Sequence, residues 1–164
     1  MNSSVRIFST GGTIDSLAYE QGQKSEFKGT YIPAMLAQSR LTIPFELEAL
    51  MQKDSTDITE TDRQLIYECC LVAQENRIVV THGTDTMTET ARFLAQRDLH
   101  NKVVVFTGSF IPFSQPNSDA LFNIGYAVAS AQTLPAGVWL ALNGEIFEWN
   151  AVRKNKEKQR FERI

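Results

Sequence analysis

Short runs of β-branched and apolar residues alternate with amphipathic stretches along most of this chain. Val5-Arg6-Ile7-Phe8, Ile78-Val79-Val80, Val103-Val104-Val105-Phe106 and Val138-Trp139-Leu140-Ala141-Leu142 have the length and composition of strands buried on both faces. Between them the period changes. Pro33 opens a short helix carrying Met35 and Leu36. Thr59-x-x-Asp62 predicts a capped helix start, followed by an apolar stripe at Leu65, Cys69, Val72 and Ala73. After Gly83, Met87, Ala91, Leu94 and Ala95 fall at helical spacing, with Thr86-x-x-Glu89 as a second capping-box signature. Asn117-Ser118-Asp119 starts another helix, with Leu121, Ile124, Gly125 and Val128 predicted to face inward. Ile43 to Met51 carries both helix and strand signals and is read as a strand. Asn143-Gly144, leading into Glu145-Ile146-Phe147-Glu148-Trp149, is a hairpin signal that predicts an antiparallel edge, which would leave Ile146, Phe147 and Trp149 exposed unless another copy of the chain covers it. Strands alternating with helices imply βαβ units. The expected fold is α/β: three layers, a mostly parallel sheet with helices on both faces (Rossmann- or flavodoxin-like), and an antiparallel hairpin at the C-terminal edge.

Length and composition narrow this picture. A chain of 164 residues suits one domain with a proper core, so residues 1–164 are expected to form a single domain. The longest apolar runs are far short of a membrane span, and no charged-then-apolar leader precedes the first strand. Cys69 and Cys70 are adjacent on a predicted helix and cannot staple distant parts of the fold. They read as reduced thiols in a cytoplasmic protein. Two histidines without ligand spacing point to no metal.

Net charge is −3, unevenly distributed. Residues 151–164 hold Arg153, Lys154, Lys156, Lys158, Arg160 and Arg163 against Glu157 and Glu162, a local +4. The rest of the chain is therefore acidic, which argues against nucleic acid as a partner.

The candidate chemistry lies where strands end. Three of them close on Thr/Ser and Gly: Thr10-Gly11-Gly12-Thr13, Thr81-His82-Gly83-Thr84 and Thr107-Gly108-Ser109. In an open α/β sheet, ligands bind outside the carboxyl ends of the strands, so gathered polar turns make a site for a small, highly polar ligand. Gly11 and Gly12 let the backbone turn tightly and bring Thr13 close to such a ligand. Thr84 and Asp85 stand beside a helix start, where backbone N–H groups favour an anion. Capping alone would account for an isolated Thr-Asp pair. No G-x-G-x-x-G follows the first strand, and no Gly-Lys-Ser/Thr is present, which disfavours dinucleotide and excludes P-loop binding. Residues 15–31 are polar, carry Tyr19 and Tyr31, and read as a long mobile loop of the kind that forms lids.

Ser9-Thr10-Gly11-Gly12-Thr13-Ile14 and Thr81-His82-Gly83-Thr84-Asp85-Thr86-Met87 resemble the two threonine-centred signatures of the bacterial-type L-asparaginase/glutaminase family. Asp54-Ser55-Thr56-Asp57, Thr107-Gly108-Ser109 and Ser118-Asp119 fall in the expected order. The resemblance covers essentially the whole chain but only the family's N-terminal domain. It implies hydrolysis of a side-chain amide, of asparagine or a related small amide, through a threonine acyl-enzyme, with no cofactor. By motif position Thr13 is the nucleophile, helped by a loop tyrosine, Tyr31 or, as runner-up, Tyr19. Thr84, Asp85 and Lys154 would form a second catalytic group. Ser55 and Asp85 would hold the substrate's α-carboxylate and α-amino group, in a pocket completed by Gly12, Asp54, Gly83, Thr84 and Ser109.

Family members continue into a smaller C-terminal domain that, from an adjacent subunit, supplies an acidic residue to the substrate's amino group. This chain is expected to lack that domain and to assemble as a homodimer or homotetramer. The rival expectation is a module that binds a small amino acid or amide without turning it over. In the basic tail, Lys154 is expected in the site, with Lys156, Lys158 and Arg160 solvated.

Overall fold

The structure is a computed structural model describing residues 4–15 and 29–164. The predicted loop, with Tyr19, falls largely on residues 16–28 and so lies outside the described residues. The described elements are β1 (Val5–Gly11), α1 (Ile32–Gln38), β2 (Phe45–Lys53), α2 (Glu60–Val72), β3 (Arg77–Thr81), α3 (Met87–Ala95), β4 (Val103–Thr107), α4 (Ala120–Thr133), β5 (Gly137–Leu142), β6 (Glu145–Glu148), β7 (Val152–Asn155) and β8 (Arg160–Arg163). The first six strands form one sheet in the order β2-β1-β3-β4-β5-β6. All pairings are parallel except β5 with β6, which are antiparallel as the Asn143-Gly144 turn predicts. Asn143 and Gly144 both have positive φ (51° and 83°), as a type I′ hairpin turn requires.

Alternation along the strands sorts the core into two layers. Phe8, Ile78, Val80, Val104, Phe106 and Leu140 face Ile66 and Cys70 of α2 and Met87, Ala91 and Leu94 of α3. Ile7, Val79 and Val105 face the other way, onto Ile32, Met35 and Leu36 of α1 and Ile124, Ala127 and Val128 of α4. The three-layer expectation therefore holds, with helices on both faces.

Helix faces depart from expectation in several places. In α2 the buried residues are Ile66 and Cys70, while Leu65 and Val72 are exposed (41% and 77%), so the inward stripe lies one residue along from the predicted one. The Thr59–Asp62 capping box forms, with Asp62 N–H on Thr59 Oγ1 and Asp62 Oδ2 accepting from the Thr59 N–H and hydroxyl. The Thr86–Glu89 box does not form, because the Thr86 hydroxyl donates instead to the Ser55 carbonyl at 2.6 Å. In α4, Gly125 is exposed and Leu121 only half-buried; Ala120, Asn123, Ile124 and Ala127 hold the inner face.

β7 and β8 pair antiparallel as a separate hairpin, with Val152 opposite Arg163 and Lys154 opposite Phe161. Val152 and Phe161 are buried in the α2/α3 layer. Phe147 joins the same layer beneath the Arg163 guanidinium, 5.3 Å from its ring centroid. The β6 edge expected to be open without a second copy is thus covered in part by the chain's own tail, and Phe147 is buried.

Candidate active site

The carboxyl ends of β1, β3 and β4 are tied together before any side chain faces a ligand. Ser9 pairs with Thr81 across β1–β3, and Thr81 with Thr107 across β3–β4. The Thr10 hydroxyl donates to the Thr81 carbonyl at 2.8 Å, and the His82 N–H to the Thr107 carbonyl at 2.9 Å. The three polar turns therefore emerge side by side.

Close backbone approach then brings the two threonine turns together. Gly12 sits at φ +83°, and a Cβ placed there would come 2.4 Å from the Gly83 nitrogen and 2.5 Å from its Cα. Only glycine tolerates both that conformation and that contact. Gly83 in turn packs against Ser55, whose Cβ and Oγ would lie 2.6 and 2.8 Å from an added methyl. Thr13 and Thr84 each follow a glycine of this touching pair, so their main chains begin from adjacent points. Thr13 opens a 3₁₀ turn, Thr13–Asp15, anchored below by buried Ile14.

Lys154 reaches this place from the tail. Its Nζ lies 2.7 Å from Thr84 Oγ1 and 2.7 Å from Asp85 Oδ1, so the ammonium donates to a hydroxyl and a carboxylate at once. Phe110 lies under the same cation, its ring centroid 5.4 Å away, and Phe110 packs on Phe161. Lys156, Lys158 and Arg160 are exposed. Ser55 is buried beside this group and its Oγ accepts the Thr86 N–H at 3.3 Å.

Two of the residues expected to line the pocket are committed to their own turns. Asp54 is exposed, and its Oδ1 accepts both the Thr56 N–H and hydroxyl at 2.9 Å, capping the 3₁₀ turn Ser55–Asp57. The Ser109 hydroxyl donates to the Ile111 carbonyl at 2.7 Å. Ser109 follows Gly108, where an added Cβ would meet Thr84 Cγ2 at 3.5 Å, so this turn borders the group through backbone. Tyr31 heads α1, its ring 5.9 Å from Phe113, and its N–H donates to Asp15.

Two supporting residues stood within the motifs but were given no role by the sequence. Asp119 accepts the Phe110 and Ile111 N–H groups and the side-chain amides of Asn123 and Asn143, and so fixes the turn after β4. His82 is wholly buried between Thr81 and Gly83. Its Nδ1 donates to the Gly83 carbonyl at 2.8 Å, and its Nε2 accepts the Thr90 hydroxyl at 2.9 Å. Burial pushes this imidazole down to about 4, and the nearby Arg63 adds to the effect. Among the described residues no three His, Cys, Asp or Glu side chains converge on a possible metal position, and no helix is long and apolar enough to cross a membrane.

Comparison with known proteins identifies the family and the fold. Residues 4–162 match the family model described as asparaginase, N-terminal. An L-asparaginase of Bacillus licheniformis is 32% identical over 163 residues, covering 94% of this chain and 50% of the relative. The thermostable L-asparaginase from Thermococcus kodakarensis superposes with a TM-score of 0.84 at 29% identity, over 98% of this chain and 51% of that one. A probable cytoplasmic L-asparaginase from Campylobacter jejuni gives 0.77 at 28% identity, over 93% and 48%. The chain spans about half the length of the curated relatives it matches.

Proposed function

The chain belongs to the asparaginase family through that family's N-terminal domain, and on that footing we propose that it hydrolyses the side-chain amide of asparagine or a related small amide through a threonine acyl-enzyme. The observation that carries this reading is the Lys154 ammonium placed 2.7 Å from both Thr84 Oγ1 and Asp85 Oδ1 across some seventy residues of sequence. A cation, a hydroxyl and a carboxylate meeting on the carboxyl edge of a parallel sheet make a proton-handling group in the usual place for a ligand.

In the proposed reaction Thr13 Oγ attacks the amide carbonyl as its proton passes to the Tyr31 oxygen and the phenol's own proton passes on to solvent. Backbone N–H groups of the Thr84 turn stabilise the oxyanion. Thr84 Oγ1 accepts from Lys154, so as Thr84 gives its own hydrogen to the departing nitrogen the ammonium replaces it, and Lys154 regains a proton from solvent. Ammonia leaves, water adds to the Thr13 ester, and the carboxylic acid is released. Ser55 and Asp85 bind the substrate's α-carboxylate and α-amino group. Because the steps draw on hydroxyls, a lysine and backbone N–H groups, activity should survive chelator.

We further propose one domain over residues 1–164, a cytoplasmic setting in keeping with free Cys69 and Cys70, and a homodimer or homotetramer in solution. Ammonia release from a panel of small amides tests the reading. Turnover should vanish in Thr13→Ala and in Lys154→Met and be unchanged in Lys158→Met. Full activity in Thr13→Ala would overturn the mechanism. Binding of aspartate by calorimetry with no ammonia from any amide would make the protein a binding module instead.

A further inference from the structure

Asp15 closes the 3₁₀ turn that begins at Thr13 and is almost completely buried (2% exposed). Among the described residues, the groups bonded to its carboxylate are donors. The Tyr31 N–H donates to Oδ1 at 2.5 Å across sixteen residues, and the Ser9 hydroxyl lies 3.5 Å from Oδ2. The Thr30 hydroxyl bonds to it as well. Thr30 Oγ1 itself accepts the Ile32 N–H at 3.1 Å, so its hydrogen is left for Asp15. One carboxylate thus binds the end of the Thr13 turn to the backbone of Tyr31 and, through Thr30, to the first turn of α1.

Burying a carboxylate costs free energy, and here desolvation raises its proton affinity above the ordinary value despite the hydrogen bonds from Thr30, Tyr31 and Ser9. Packing alone does not call for such a group. Ile14 and Ile32 already join both segments to one apolar cluster. What the carboxylate adds is direction: donors on both of its oxygens are met by acceptor lone pairs, and an amide at the same place would turn an N–H towards one of them.

Building on the reading of Thr13 as nucleophile and Tyr31 as its helper, we propose that Asp15 is the positioning residue that holds Tyr31 in reach of Thr13. It touches no substrate and acts only through the Tyr31 main chain.

A cycle of Asp15→Asn and Tyr31→Phe tests this, read by ammonia-release kinetics and by the Tyr31 amide in the ¹H–¹⁵N spectrum of tyrosine-labelled protein. Asp15→Asn should lower kcat at least about tenfold with KM within about twofold, and shift the Tyr31 amide upfield as its charge-assisted bond weakens. In the Tyr31→Phe background the same substitution should cost less than about twofold, because residues acting as a unit are not additive. An equal loss in both backgrounds would overturn the proposal, since a general structural role is additive. An unmoved Tyr31 amide would overturn the tie itself. If Asp15→Asn does not fold, Asp15→Ser, which keeps an uncharged acceptor, serves in the same cycle. Thr13→Ala judges the parent reading separately: should it keep full rate, or should the unaltered chain release no ammonia, the parent reading falls and Asp15's role in positioning falls with it, while the amide shift still decides whether the tie exists.

Discussion

Lowering the pH should destabilise this protein through His82 before most of its carboxylates are protonated. The imidazole is completely buried, with the Phe106 ring edge-on 6.0 Å away. Its hydrogen bonds run one way: Arg63 Nε donates to Thr90 Oγ1, Thr90 to His82 Nε2, and His82 Nδ1 to the Gly83 carbonyl. A proton on Nε2 would face the hydrogen of Thr90 and sit near the Arg63 charge. Burial first, and the Arg63 charge after it, bring the folded imidazole to about 4 against 6.5 for the free side chain. The folded state binds fewer protons, so this contribution is fully present above pH 6.5 and is lost as pH falls through the window towards 4. At about 1.4 kcal/mol per unit, two-state linkage gives a loss of roughly 1.4 kcal/mol at pH 5.5 and roughly 2.5 kcal/mol at pH 4.5. Urea unfolding of the unaltered protein and His82→Gln at pH 7.5, 5.5 and 4.5 isolates this effect, because other titrating groups are common to both. The substituted protein should be less stable at pH 7.5, and the gap should narrow by about 2.5 kcal/mol at pH 4.5. A gap that stays constant across the three pH values would refute the assignment of a neutral, one-way-bonded His82.

Two further substitutions probe how the candidate site is assembled. Phe161→Ala removes one of the two apolar anchors of the β7–β8 hairpin and should cost about 3 kcal/mol in thermal unfolding. It should also abolish ammonia release, since Lys154 rides on that hairpin; full activity would show that Lys154 is held from elsewhere. Gly12→Ala puts a methyl 2.4 Å from the Gly83 nitrogen at φ +83°, and should cost at least about 2 kcal/mol and more than about tenfold in turnover. A stable, fully active variant would mean that the two threonine turns need not touch.

The central strands were legible because burial on two faces leaves little besides β-branched and aromatic residues: Ile78-Val79-Val80 and Val103-Val104-Val105-Phe106 read directly as strands. The face of α2 was ambiguous for a physical reason. Apolar residues at 65, 66, 69, 70 and 72 support two stripes, and the choice between them rests on what the helix packs against. The Thr86 box failed because a remote partner, the Ser55 carbonyl, competes for the hydroxyl that a local rule assigns to the helix end. Asp15 was invisible for the same reason: its partners lie six to sixteen residues away, and nothing in an Ile-Asp pair after a turn indicates them.

The tail shows where pattern and chemistry part company. Its many charges hide the two-residue period, and no strand was predicted there. Yet once Val152 is anchored in the core, strand geometry alone directs Lys154, two residues on, to the same face, opposite Phe161. Arg153 between them points away and pairs with Glu162 in solvent. A lysine on the inner face of a strand is costly unless its ammonium is paired, and Thr84 and Asp85 meet that need. The family resemblance singled out Lys154 by its place in the sequence. The hairpin supplies the cause: the apolar anchors that bury its inner face are the same contacts that carry the cation to Thr84.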